Sequence, residues 1–190
     1  HMKRVALFFG SFNPIHSGHI HIAQQVLKQH KVDEVQFVLS PQNPHKKTTS
    51  LLSETHRWNM LQLALKEHQN LTPNDIELHM PTPSYTATTL KKLVAENPDV
   101  RYALVLGADS EASLSSWKNT NYLMQFPRLI YPRKGTVLVN TTSEMVLQNV
   151  SLQDISATQI RTEKDLDVLK TWLPEAVFDY MQAHKLFSDI

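Results

Sequence analysis

Short apolar runs that end on glycine or proline, each followed by a stretch of helical periodicity, constrain this fold more than any other feature. Residues 5–9 are apolar and stop at Gly10. The segment 18–30 then sets Ile22, Ala23, Val26 and Leu27 on one helical face. A second apolar run, 35–39, is ended by Ser40 and Pro41, and 41–50 reads as a polar, proline-broken loop. Ser53 is placed to cap a helix reaching His68, with Trp58, Leu61, Ala64 and Leu65 toward the core. Residues 75–80 alternate Ile76, Leu78 and Met80, a strand pattern. A helix over 86–95 and a buried strand over 102–106, ending at Gly107, come next. Strands are expected at 129–131 and 146–150, a short helix capped by Ser156 through Arg161, and a final helix opened by Pro174 and running to Lys185. Strands alternating with helices predict an α/β, Rossmann-like parallel sheet with helices on both faces and a small C-terminal helical part over 155–190. Ligands in such folds bind at the carboxyl ends of the strands.

The length of 190 residues suits one domain over 2–190, with His1 read as a cloning scar ahead of Met2. Basic and acidic side chains number 19 and 18, which lacks the basic excess of a nucleic-acid binder. The chain has no cysteine, so disulfides, thiolate zinc sites and cysteine nucleophiles are excluded, in keeping with a reducing cytoplasm. No apolar run approaches the roughly 20 residues that cross a bilayer, and the start lacks a signal-peptide core. A membrane partner is therefore not expected.

The turn from the first strand into the first helix carries the chemistry. Gly10, lacking a side chain, lets backbone approach a ligand. A helix start offers unpaired N–H groups and a positive dipole end, which suit phosphate. His16 and His19 lie three residues apart, so a helix beginning near Ser17 points both imidazoles at one anion, with Gly18 keeping the space between them open. Far downstream, Ser156 and Thr158 offer hydroxyls at another helix start, and Arg161 offers a planar cation for β- and γ-phosphates.

Gly10, Phe12, Pro14, His16, Gly18 and His19 match the Gly-x-Phe-x-Pro-x-His-x-Gly-His signature, and this stretch resembles the nucleotidyltransferase superfamily that carries it. Ile155, Ser156, Thr158, Ile160 and Arg161 are similar to that superfamily's second motif, Ile-Ser-x-Thr-x-Ile-Arg. The resemblance implies that His16, His19 and Arg161 are catalytic. It also implies that Gly10, Ser11, Phe12, Gly107, Asp109, Ser156 and Thr158 share the ATP site with them.

The middle segments resemble the nicotinate mononucleotide adenylyltransferases. Pro83-Ser84-Tyr85-Thr86 looks like that family's pyridine-nucleotide segment, where a helix start meets the nicotinate carboxylate. Gly107-Ala108-Asp109-Ser110 matches its Gly-x-Asp-Ser, and Trp117 its pyridine-stacking tryptophan. Lys46, in Pro44-His45-Lys46-Lys47, and Arg133 match its basic positions. The resemblance thus assigns Lys46, Tyr85, Thr86, Trp117 and Arg133 to the mononucleotide. The departures bear on substrate detail: Phe9, Ser11 and Asn13 stand where many relatives have glycine, threonine and aspartate, and Ala157 replaces a serine.

The implied reaction is in-line attack of the mononucleotide phosphate on the α-phosphorus of ATP, releasing pyrophosphate. The nucleophile is already anionic, so catalysis reduces to positioning and charge stabilisation. No acidic cluster announces a protein cage for metal, so Mg²⁺ is expected to ride on the ATP phosphates and water. The alternatives are another acceptor, nicotinamide mononucleotide or pantetheine phosphate, and a noncatalytic nucleotide sensor. The sequence leaves the oligomeric state open, together with the strength of preference for the acid over the amide and any closure of loops on ligand.

Overall fold

The computed structural model describes residues 2–30, 32–41, 51–137, 145–148, 150 and 157–187. Five strands, β1 (Lys3–Gly10), β2 (Glu34–Leu39), β3 (Leu71–Asn74), β4 (Val100–Gly107) and β5 (Arg128–Tyr131), form one parallel sheet in the order β3-β2-β1-β4-β5. The strand order reverses between β1 and its neighbour β4. Their register pairs Phe8 with Val105, so Gly10 and Gly107 end side by side at the carboxyl edge. An open α/β sheet binds ligands at this switch point.

The pleat explains the two-sided core. Along β1, Ala6 and Phe8 face one way and Val5 and Leu7 the other, all buried. The first face packs on α1 (Ser17–Gln29), α2 (Glu54–Leu65), α7 (Leu166–Trp172) and α8 (Glu175–Ala183), through Ala23, Val26, Met60, Leu61, Leu169 and Val177. The second packs on α3 (Thr86–Glu96) through Ala87, Leu90 and Leu93, and on α5 (Thr120–Leu123) through Leu123. Two short helices, α4 (Ala108–Ser113) and α6 (Ala157–Thr162), complete the set among the described residues. The layered α/β architecture with helices on both faces and a helical C-terminal part is the one expected. Among the described residues no helix is long and apolar enough to cross a membrane.

Three local expectations are corrected. Residues 75–80 are not a strand: pairing to β2 is made by Leu71–Asn74, and Ile76–His79 is a 3₁₀ turn. The Asn74 side-chain oxygen accepts the Ile76 N–H at 2.9 Å, a local bond that turns the chain out of the ladder. Pro73 is tolerated because β3 lies at the sheet edge. Among the described residues, the strand expected at 146–150 is a single bridge, Val146 to Ile130, anchored by Leu147 N–H on the Ile130 carbonyl at 2.8 Å. Pro174 is the N-cap of α8 rather than its first helical residue. Ser53 caps α2 as predicted, accepting from the His56 N–H at 3.2 Å.

Candidate active site

The loop after β1 delivers two histidines to the start of α1. His16 is the N-cap: its Nδ1 accepts the Gly18 N–H, and His19 Nδ1 accepts the His16 N–H, both at 3.1 Å. A backbone N–H can only donate, so each Nδ1 carries a lone pair and each neutral ring carries its proton on Nε2. The two rings stack with centroids 3.6 Å apart, 26° from parallel. Burial, reinforced by the Arg133 cation, lowers the His16 pKa to about 4. Burial pushes His19 well below its ordinary value too, with His16 and Arg133 adding to it. The unliganded pair is therefore two neutral Nε2–H donors held in fixed tautomers. An anion placed against them raises both pKa values and strengthens the bonds.

Gly18 makes this pairing possible, since a Cβ there would lie 2.9 Å from His16 Cε1. Phe12 adopts a left-handed φ of 40° and turns its ring into the core, 3% exposed. It meets the edge of His19 at 5.1 Å and of Phe8 at 5.6 Å. The Phe12 side chain thus supports His19 from below, and only its backbone is left to face a nucleotide. Ser11 is exposed in the same loop.

Arg161 of α6 reaches this loop from 148 residues away in sequence, donating from Nη1 to the Asn13 carbonyl at 2.8 Å. Its Nη2 lies 3.4 Å from Thr158 Oγ1. Buried Ile160 anchors the same short helix in the core. The two stretches expected to converge do so. Ser156 and Lys46 lie outside the described residues.

At the end of β4, the absence of a side chain on Gly107 leaves room for Asp109, whose Oδ1 would sit 2.6 Å from an added Cβ. Asp109 faces Arg133 at 3.9 Å, and the charge of Arg133 acts on both histidines. Arg133 thus stands beside the two histidines. At the start of α3 lies a cavity of about 400 Å³ lined by Ser84, Tyr85, Thr86, Ser116, Trp117, Lys118 and Leu123. It brings together the three residues assigned to the pyridine. Tyr85 is the N-cap of α3 but makes no side-chain cap, so the positive helix start is left for a ligand. Trp117 is half-buried, its Nε1 donating to Ser113 Oγ at 3.1 Å.

Sequence reasoning missed Lys118, whose Nζ lies 4.4 Å from the Tyr85 ring centroid and gives this pocket a cation. It also missed Asn13, whose buried side-chain oxygen accepts the Leu52 N–H at 3.0 Å and ties the histidine loop to the entry of α2. A third omission is Arg57, fully buried beneath the loop. Its position three and four residues ahead of Met60 and Leu61, on the apolar face of α2, was the available signal. Among the described residues no group of three histidine, aspartate or glutamate side chains is arranged to hold a metal ion.

The chain is similar to known proteins over most of its length. The cytidylyltransferase-like family matches residues 7–163. A protein of Flavobacterium psychrophilum named "Probable nicotinate-nucleotide adenylyltransferase" is 33% identical over 97% of this chain and 99% of its own. One of the same name from Bacteroides thetaiotaomicron is 36% identical over 95% and 92%. In fold, the chain superposes on Plasmodium falciparum nicotinic acid mononucleotide adenylyltransferase complexed with NaAD. The TM-score is 0.80 at 20% identity, covering 97% of each chain. The histidine loop, the arginine that reaches it and the matched relatives agree: the chain belongs to the cytidylyltransferase-like family and, within it, to the nicotinate-nucleotide adenylyltransferases.

Proposed function

We propose that this protein transfers AMP from ATP to nicotinate mononucleotide, giving nicotinate adenine dinucleotide and pyrophosphate, a step of NAD biosynthesis. The observation that carries the proposal is the bond from Arg161 to the Asn13 carbonyl, which puts a guanidinium on the loop that presents His16 and His19. Three N–H donor groups, two from the turn into α1 and one from α6, then face one polyphosphate. The Nε2–H groups of His16 and His19 take oxygens at the reacting end, and Arg161, with Thr158, takes the leaving pyrophosphate; by resemblance Ser156 belongs to the same ATP site and Lys46 to the mononucleotide. Gly10, Ser11 and the Phe12 backbone line the nucleotide on the β1 side. Gly107 and Asp109 do so on the β4 side. Arg133 supplies charge where the two phosphates meet.

The mononucleotide base enters the pocket of Tyr85, Thr86 and Trp117. The uncapped start of α3 favours its carboxylate over an amide, and the indole offers a face for the flat ring. Mg²⁺, when bound, neutralises the ATP phosphates. In this reading phosphate oxygens and water would supply most of its ligands. The enzyme acts in the cytoplasm, as one domain, on small molecules rather than nucleic acid or membrane.

Parallel assays of pyrophosphate release with nicotinate mononucleotide, nicotinamide mononucleotide and pantetheine phosphate test this reading. The acid is expected to give the highest kcat/KM, exceeding the amide by at least about tenfold, since a site built for one polar group leaves its partners unpaired with another. Equal rates with acid and amide remove the carboxylate assignment. Release only with pantetheine phosphate overturns the acceptor, and ATP binding without any release makes the protein a sensor.

A further inference from the structure

Among the residues that line the cavity at the start of α3, one side chain is charged, Lys118. Its Nζ lies 4.4 Å from the centroid of the Tyr85 ring and makes no ion pair among the described residues. Other cations of the chain are neutralised: Lys3, Lys92 and Arg128 each meet a glutamate, at 3.1, 2.8 and 2.9 Å. The backbone on either side of Lys118 is fixed. The Leu114 carbonyl accepts the Trp117 N–H at 3.0 Å and the Thr120 hydroxyl at 2.7 Å, which closes residues 114–120 into one turn around Lys118. Asn119 adopts a left-handed φ of 56° within it, a conformation asparagine tolerates. Leu114 and Leu123, both buried, root the turn in the core.

Lys118 therefore springs from an anchored turn, and its stem is laid toward Tyr85 before any ligand arrives. A cation over an aromatic face is attracted by the ring quadrupole, and a side chain already held has less freedom to lose on binding. Two positive features then share one pocket, the uncapped start of α3 and the Lys118 ammonium. A carboxylate gains from both, since it accepts from the helix N–H groups and forms a charge-assisted bond with the ammonium. A carboxamide is neutral. Its oxygen can accept as well, but its NH₂ brings donors toward an ammonium that can only donate.

We propose that Lys118 determines acceptor specificity, its ammonium pairing with the carboxylate of nicotinate mononucleotide and setting the preference for the acid over the amide. The proposal rests on the adenylyltransferase reading above and names the side chain that supplies the charge. The pairing is made at the base, away from the reacting phosphates, so it is the same before and during transfer. Its loss raises KM for the acid and leaves kcat nearly unchanged.

The experiment compares the parent with Lys118→Met, Lys118→Glu and Lys118→Arg at saturating ATP, with nicotinate mononucleotide and nicotinamide mononucleotide each as acceptor. Lys118 is exposed, so each variant is expected to fold, and circular dichroism checks it. Lys118→Met, which keeps the stem and removes the charge, is expected to raise KM for the acid about tenfold with kcat within about threefold. Its KM for the amide should move by less than about threefold, so the acid-to-amide ratio of kcat/KM falls severalfold. Lys118→Glu, which sets carboxylate against carboxylate, should lower that ratio by about 100-fold, and Lys118→Arg should recover most of it. A folded Lys118→Met protein with the parental ratio overturns the assignment, while the parent's activity keeps the reading. An equal loss with acid and amide overturns it too, since it marks a contact to the phosphate that both acceptors share. A parent that makes no dinucleotide from either acceptor overturns the reading and the assignment together.

Discussion

Replacing His16 or His19 with alanine is expected to lower kcat for dinucleotide formation by about 100- to 1,000-fold, the usual loss when one preorganised donor to a transition-state oxygen is removed. The geometry makes the two substitutions unequal in stability but alike in chemistry. Each ring contributes one Nε2–H, and its Nδ1 is engaged with backbone. His16→Ala also removes the acceptor for the Gly18 N–H, a cap whose loss costs about 1 kcal/mol. His19→Ala leaves that cap and loses the acceptor for the His16 N–H, together with the ring that packs on Phe12 and Phe8. Initial rates of pyrophosphate release, read beside a urea melt of each variant, separate the two effects. Near-parental kcat in both variants would remove the histidines from the mechanism.

The same pair makes the protein acid-sensitive. His16 titrates at about 4 in the folded state against a reference of 6.5, so between these values the unfolded chain binds a proton that the folded chain refuses. Stability must then rise with pH across this window, and be lost as pH falls from 6.5 toward 4. At pH 5 the His16 contribution amounts to about 2 kcal/mol relative to neutral pH, a drop in Tm of roughly 4–8 °C for a domain of this size. His19 is shifted in the same direction and adds to the loss. Melts at pH 7 and pH 5 check the slope, and His16→Gln, which cannot titrate there, should flatten it. A parental Tm unchanged between pH 7 and pH 5 would mean that the rings are not buried as described. Saturating ATP should partly restore Tm at pH 5, because bound phosphate favours the protonated rings.

Much of this was legible in the sequence, and the reasons differ by residue. The order of strands and helices followed from runs such as 5–9 and 102–106, whose period and glycine stops have no other good reading. His16, Gly18 and His19 were legible because a helix start forces their spacing into one geometry. Convergence with Arg161 was expected only from the resemblance of its motif, since nothing local in 157–162 specifies that its guanidinium meets the Asn13 carbonyl. Residues 75–80 misled because Ile76 and Leu78 alternate as a strand does, while the decisive bond comes from the Asn74 side chain just before them. Glu77, placed by that alternation on the solvent side, is instead nearly buried, its carboxylate bonded to hydroxyls from α3 and its preceding loop. Arg57 and Lys118 escaped for a related reason: a long cation ends far from its backbone, so its partner is set by the tertiary fold rather than by neighbours in sequence.

The central claim is that His16 and His19 meet ATP as neutral Nε2–H donors in one cleft with Arg161. Long-range ¹H–¹⁵N spectra of the histidine side chains, recorded at pH 7 during titration with ATP, test it most directly. Both rings should show the Nε2–H tautomer without ligand. On addition of ATP both Nε2 signals should shift while each Nδ1 keeps the shift of an acceptor. Nδ1-protonated rings, or two histidines whose signals stay put as ATP saturates the protein, would contradict it.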